Sequence, residues 1–156
     1  MHLSRSALFL PLLSCLGACD EELPAGPLGL SFGTNDPGAV SLESFRLLEE
    51  GGEAPVSFGL QGRWMVVLAA RLDGVDGTSE SAAITVELRS GDDTLSLYDS
   101  PRVPLWPTSG GHLAMNLFVV LGDPEEWQGR PVEVTLHAEV GAQAATADLR
   151  LVMPTP

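Results

Sequence analysis

The 156-residue chain contains no lysine, and its two cysteines both lie within the first 19 residues. The absence of lysine excludes Schiff-base and lysine-base chemistry. Three histidines are present, and only His112 and His137 lie beyond the N-terminal segment, which is too few for a three-histidine metal site. Neither histidine accompanies a nucleophile pattern such as G-x-S-x-G. The sequence therefore predicts a protein that is not an enzyme and needs no cofactor.

Positive charge is also scarce, because 8 arginines stand against 21 acidic residues and the formal net charge is −13. Binding to nucleic acid or to anionic lipid headgroups depends on clustered positive charge. The composition therefore predicts no nucleic-acid partner.

Residues 1–19 have the three parts of a secretory signal. Arg5 gives a short basic start, an apolar run extends from Ala7 to Leu16, and the small residues Gly17 and Ala18 follow. The run of roughly ten residues is well short of the ~20 that a membrane-spanning helix needs. The segment thus predicts export without a transmembrane anchor.

The stretch Leu16-Gly17-Ala18-Cys19 resembles the lipobox of bacterial lipoproteins. The resemblance implies removal of residues 1–18 and attachment of a diacylglycerol to the Cys19 thiol, with fatty acids such as palmitate. It also implies a location in the bacterial cell envelope, on the periplasmic or outer face. Two or more acyl chains hold a protein firmly on a membrane. The alternative is an ordinary signal peptide followed by a chance cysteine.

The rest of the chain divides into a tether and one domain. Residues 19–27 continue from the cysteine as D-E-E-L-P-A-G-P, which is polar and carries Pro and Gly, as flexible linkers do. Residues 28–156 have the length of a single domain.

Short apolar segments with two-residue alternation predict an all-β fold, an antiparallel β-sandwich of about 7–9 strands. Two further segments, 64–70 and 113–121, are apolar on both faces and predict central strands. Asp123 followed by Pro124 and two glutamates predicts a short helical turn near 124–127. The alternating apolar positions are Ile84, Val86, Leu88, Val132, Val134, Leu136, Ala138, Val140, Ala145, Ala147, Leu149 and Leu151.

Residues 28–76 contain L-S-F-G-T, F-R-L-L-E-E-G-G-E-A-P-V and a Q-G turn before a long apolar strand. These segments resemble a group of uncharacterised bacterial exported sandwich domains. The resemblance implies an immunoglobulin-like sandwich and no particular activity. Trp64 invites comparison with the buried tryptophan of immunoglobulin domains, although the cysteine pair of that family is missing.

Three aromatic residues, Tyr98, Trp106 and Trp127, are candidates for a binding surface. Trp106 lies between two prolines in residues 98–112, which we interpret as an exposed loop that contacts a partner. The alternative is that each tryptophan caps an open end of the sandwich.

Asp73, Asp76 and Glu80 are weak candidates for a calcium site, because their carboxylates lie close together in the sequence. Their spacing does not match an EF-hand, and Asp-Gly pairs are common hairpin turns. The turn interpretation is therefore favoured, and no metal site is predicted.

These features together predict a membrane-anchored lipoprotein that acts as a binding or scaffolding module, with an envelope protein or glycan as partner. A carbohydrate- or calcium-dependent adhesion module is the alternative. A secreted hydrolase, which would have to use His112 or His137, ranks third.

Overall fold

A computed structural model describes residues 27–39, 41–59, 61–75 and 78–155 of the protein. The predicted signal peptide, Cys19 and the predicted tether up to residue 26 lie outside the described residues. Ten strands, a 3-10 turn at Leu42–Ser44 and the helical turn α1 at Pro124–Trp127 make up the fold. The strands are β1 (Gly29–Thr34), β2 (Arg46–Leu47), β3 (Val56–Phe58), β4 (Trp64–Asp73), β5 (Ser81–Ser90), β6 (Asp93–Pro104), β7 (Trp106–Thr108), β8 (Gly111–Val120), β9 (Pro131–Val140) and β10 (Gln143–Val152).

The strands form two antiparallel sheets that pack into a β-sandwich. One sheet has the order β2-β1-β4-β8-β7, with β3 also paired to β4, and the other has the order β10-β9-β5-β6. Strands β1, β4, β8 and β7 take the places of strands A, B, E and D of immunoglobulin domains, while β10, β9 and β5 take those of G, F and C. The predicted sandwich is confirmed. Its strands number ten because β2 and β3 are additions of two and three residues.

Trp64 does not take the place of the immunoglobulin tryptophan. That residue lies on strand C, whereas Trp64 begins β4, which corresponds to strand B. Its indole packs edge-to-face against Phe58, with ring centroids 5.0 Å apart. Trp64 therefore belongs to one end of the sandwich, not to its centre.

Two tight turns join the strands of the second sheet. Gly91-Asp92 connects β5 to β6, and Gly141-Ala142 connects β9 to β10. The glycines have φ of 60° and 59°, as the first central position of a type II′ hairpin turn requires. Residues 90–93 and 140–143 therefore form tight hairpin turns.

The predicted alternation of faces is also confirmed. Along β9 the apolar positions are buried and the intervening ones face solvent, and β5 follows the same rule. Leu136 illustrates the burial, since it is 0% exposed and lies between Val86 of β5 and Ala147 of β10. The sandwich core therefore consists of the inward rows of both sheets.

Strands β4 and β8 are central, as predicted, and are apolar on both faces. Their inward residues join the main core, whereas Ala69, Leu113 and Met115 point outward and form a second small cluster with Phe45. Phe45 follows the 3-10 turn. The segment between β1 and β2, which contains Phe45, thus covers one half of this outer face.

An asparagine pair fixes the turn that begins this covering segment. Asn116 has φ of 59° and lies in a bulge of β8, where two residues oppose Ala69. Its Oδ1 accepts hydrogen bonds from Asn35 Nδ2 at 2.8 Å and from the Gly38 amide at 2.9 Å, and its Nδ2 donates to the Ala39 carbonyl at 2.8 Å. The Asn116 amide donates to Asn35 Oδ1 at 3.0 Å. The turn 35–39 is therefore clamped to β8.

Helical turn α1 occupies the predicted residues and closes one end of the sandwich. Asp123 is at the N-cap, but its side chain makes no capping hydrogen bond. Trp127 is 1% exposed, and its Nε1 donates to the Gly122 carbonyl at 3.2 Å. Its ring packs edge-to-face against Trp64, with centroids 5.9 Å apart. Within the described part of the chain, no helix is long and apolar enough to cross a membrane.

Candidate functional site

The outer face of the β4–β8 pair carries an open apolar groove at the end nearest α1. Met65 pairs with Val120, and Val67 pairs with Phe118 in the next row. The Phe45 cover ends before these rows, because it contacts Ala69, Leu113 and Met115 instead. The resulting groove measures about 440 Å³ and is walled by Pro37, Gly38, Ser57, Phe58, Gly59 and Arg63. We call it the β4–β8 groove.

Apolar side chains of the β4–β8 groove are exposed to solvent. Phe58 is 58% exposed, and Val120 is exposed beside it. Contiguous apolar surface of this kind marks interaction sites in soluble domains. The groove is therefore a candidate binding site.

The floor of the groove is adaptable because of Met65. Its methyl group lies where a Cβ on residue 59 would be, so a side chain at Gly59 would displace the end of Met65. Methionine is unbranched and flexible, and such side chains adjust to different partners. The side chain of Met65, which packs against Gly59, can therefore adjust its conformation to a partner in the groove.

A second concavity of about 510 Å³ continues from the groove past Phe58 and Arg63. It is lined by Trp64 and by the segment that leads into α1, including Asp123 and Glu126. Among the described residues, the side chains of Arg63, Asp123 and Glu126 form no ion pair, although five other arginines do. One positive and two negative side chains, none of them in an ion pair among the described residues, therefore lie beside the apolar groove.

The three aromatic candidates do not form one surface. Trp127 is buried against Trp64, so its assignment to a binding surface is corrected: it is a core cap. Tyr98 is half-buried and packs against the main core. Trp106 is 41% exposed and pairs with Leu113. Leu113 in turn pairs with Arg71, which lies seven residues from Trp64 along β4. Because Trp127 packs against Trp64, Trp106 and Trp127 are about 20 Å apart, at opposite ends of the sandwich.

Residues 98–112 are not a loop, contrary to expectation. They form the end of β6, all of β7 and the start of β8, with a turn at Thr108–Gly111. Leu105 is buried where the chain passes from one sheet to the other. The prolines that suggested a loop are compatible with edge strands, which leave some backbone N–H groups unpaired.

The acidic residues near 73–80 do not converge in the described residues. Asp73 Oδ1 accepts a hydrogen bond from Arg71 Nε at 3.0 Å. Glu80 is exposed, and Asp76 lies outside the described residues. The described ranges contain no group of three or more side chains able to hold a metal ion.

The two histidines are in different surroundings. His137 faces solvent, with Nδ1 2.9 Å from Thr146 Oγ1 and Nε2 3.1 Å from Glu139 Oε1. His112 is buried at the start of β8, between Leu72 and Pro107. Neither contacts a serine hydroxyl in the described part of the chain, so no Ser-His pair is formed there.

His112 offers a test of the core, because its buried Nδ1 has no hydrogen-bond partner among the described residues. An unsatisfied buried polar atom costs about 1–3 kcal/mol. We expect His112→Leu to raise the free energy of unfolding by about 1 kcal/mol, measured by chemical denaturation. His137→Leu, at an exposed and hydrogen-bonded histidine, is the control and should not stabilise. A destabilised His112→Leu would show that the imidazole has an essential polar contact.

The groove residues could not be predicted from the sequence, because both faces of 64–70 and 113–121 are apolar and were assigned to the core. Met65, Phe118 and Val120 look the same in sequence as the covered Ala69 and Leu113. Only the placement of Phe45 decides which row is covered. One signal was available: segments 64–70 and 113–121 have more outward apolar residues than the segment around Phe45 is long enough to cover.

Comparison of the chain with protein-family models, with curated proteins and with solved structures finds no match. The resemblance of residues 28–76 to exported sandwich domains thus stays a prediction. The function of the protein is accordingly inferred from its own residues.

Proposed function

We propose that the protein is a lipid-anchored binding module of the bacterial cell envelope. The N-terminal segment directs export, and Cys19 holds the chain on the membrane. The sandwich then recognises an envelope protein through the β4–β8 groove. The observation that carries this proposal is the exposed apolar groove around Phe58, placed next to unpaired charges.

The direction of the chain supports this arrangement. Strand β1 begins at Gly29, which pairs with Asp73 at the far end of β4. Met65, in the groove, lies eight residues back along β4, which is about 27 Å. The chain from Cys19 therefore joins the sandwich at one end. The groove lies at the other end, where it is accessible to partners.

The alternative functions have less support. A sugar-binding platform would need neighbouring exposed rings, but Trp127 is buried and Trp106 lies at the opposite end. A calcium-dependent module would need converging ligands, and Asp73 is engaged with Arg71. A binding module with a protein partner therefore fits the described residues best.

Lipidation is tested by feeding cells a labelled fatty acid. We expect the wild-type protein to incorporate label and Cys19→Ala to lose both label and membrane association, because the thiol is the acylated atom. Cys15→Ala is the matched control and should keep the label, since residue 15 lies in the removed segment. Label that persists in Cys19→Ala would refute the lipobox interpretation.

The groove is tested by photocrosslinking in living cells. A photoreactive amino acid replacing Phe58 should give a discrete crosslinked species, because its side chain lies at the groove. The same replacement at Leu97, which is 63% exposed outside the groove, is the control. Equal crosslinking at both positions would mean that the groove is not a specific site.

A further inference from the structure

We propose that the β4–β8 groove docks an apolar segment of a partner protein that carries basic residues at the end lying over Asp123 and Glu126. This inference rests on the proposed binding function and specifies its ligand. It assigns the apolar groove to the partner's hydrophobic side chains. The second concavity receives the partner's positive charge.

The shape of the groove favours a protein segment over a free small molecule. Ligand pockets usually bury most of a small ligand's surface, whereas the β4–β8 groove is open along one side of a sheet. A partner protein supplies the missing cover with its own body, as interface cores require. Phe45 shows how this happens on the same face, because it packs on Ala69, Leu113 and Met115.

The charge around the second concavity favours a basic partner. Asp123 and Glu126 carry two negative charges against the single positive charge of Arg63. The Asp123 carboxylate makes no helix-capping hydrogen bond, and neither acid has an ion-pair partner among the described residues. The whole chain has a formal net charge of −13, so approach of a cationic segment is favoured at long range as well.

Arg63 discriminates between ligand charges. It lines both the groove and the second concavity, and it has no carboxylate partner in the described part of the chain. Arg63 is exposed, and arginines at apolar surfaces typically bury the aliphatic stem while the guanidinium stays in water. Against a basic ligand this charge is unfavourable, so its removal strengthens binding; against an acidic ligand its removal weakens binding.

The test uses the full-length protein in phosphatidylcholine vesicles and three short fluorescent peptides of alternating valine and serine. The peptides end in two lysines, two glutamines or two glutamates. We expect the lysine peptide to bind about tenfold more tightly than the glutamate peptide at low salt, measured by fluorescence anisotropy. This preference should shrink as ionic strength rises toward physiological values, because exposed charges are screened.

Variants assign the binding to the proposed residues. Asp123→Asn combined with Glu126→Gln should remove most of the lysine preference, and Arg63→Gln should strengthen lysine-peptide binding about twofold to threefold. Phe58→Ser should weaken all three peptides. The controls are Glu80→Gln, an exposed acid at the other end, and Leu97→Ser, an apolar residue outside the groove, and neither should change the affinities.

Several outcomes would overturn the inference. Equal binding of the three peptides would refute the basic partner and leave the binding function intact, whereas tighter binding of the glutamate peptide would assign the groove to acidic segments. Binding that appears only after removal of the remaining residues 19–26 would identify that segment as the occupant. Concentration-dependent dimers lost in Phe58→Ser, without peptide binding, would identify a second copy of the chain instead.

Discussion

Leu136→Asp is expected to unfold the sandwich or to reduce its yield sharply. Leu136 is 0% exposed on central strand β9, and its neighbours across the strands are Val86 and Ala147. A carboxylate at this point would be buried without a partner, which costs several kcal/mol. Domains of this kind are stable by only about 5–15 kcal/mol. Chemical denaturation of the purified variant, or its loss from cells, measures the effect.

Leu97→Asp is the matched control, since it makes the same chemical change on an exposed strand position. Leu97 is paired with Glu87 across β5 and β6. A second acid there adds weak repulsion, so we expect a loss below about 1 kcal/mol. If Leu136→Asp were as mild as Leu97→Asp, the orientation of β9 would be inverted.

Asn116→Ala is expected to destabilise the protein by about 4–5 kcal/mol. The change removes three side-chain hydrogen bonds of about 1 kcal/mol each. It also places alanine at a positive φ of 59°, where a Cβ is unfavourable by about 1–2 kcal/mol. Urea denaturation of wild type and variant gives the difference in the free energy of unfolding.

Asn116→Gly separates the two contributions. Glycine accepts the left-handed backbone conformation but loses the same three hydrogen bonds. It should therefore be about 1 kcal/mol more stable than Asn116→Ala while remaining less stable than wild type. Equal stability of the two variants would show that the backbone conformation relaxes when the asparagine is lost.

The asparagine clamp also links stability to binding. Pro37 and Gly38 form one wall of the β4–β8 groove, and the Gly38 amide is held by Asn116. Loss of the clamp frees this wall from β8. We expect Asn116→Gly to bind the lysine peptide more weakly at temperatures where the sandwich is still folded.

Much of the fold could be read from local sequence. Alternation at Val134, Leu136 and Ala138 sets which face of β9 is buried, because side chains of a strand point to opposite faces in turn. Glycine at 91 and at 141 fixes two hairpin turns through its φ. These signals lie within a few residues of each other and need no information about distant segments.

The binding candidates were predicted less well, because exposure depends on residues that are distant in sequence. Trp106 and Trp127 are chemically alike, yet one is 41% exposed and the other 1%. Trp127 is buried by Trp64, which lies 63 positions earlier in the chain and enters the same end of the sandwich. No local pattern distinguishes the two tryptophans.

The sequence by itself determined the strand pattern, the buried rows, the turn at Pro124–Trp127 and the excess of negative charge. Only the tertiary structure decided that Phe45 covers one half of the outer face of β4 and β8 and leaves Met65, Phe118 and Val120 open. The physical reason is that alternation reports whether a side chain is apolar and which way it points. It does not report whether another segment, held here by Asn35 and Asn116, arrives to cover it.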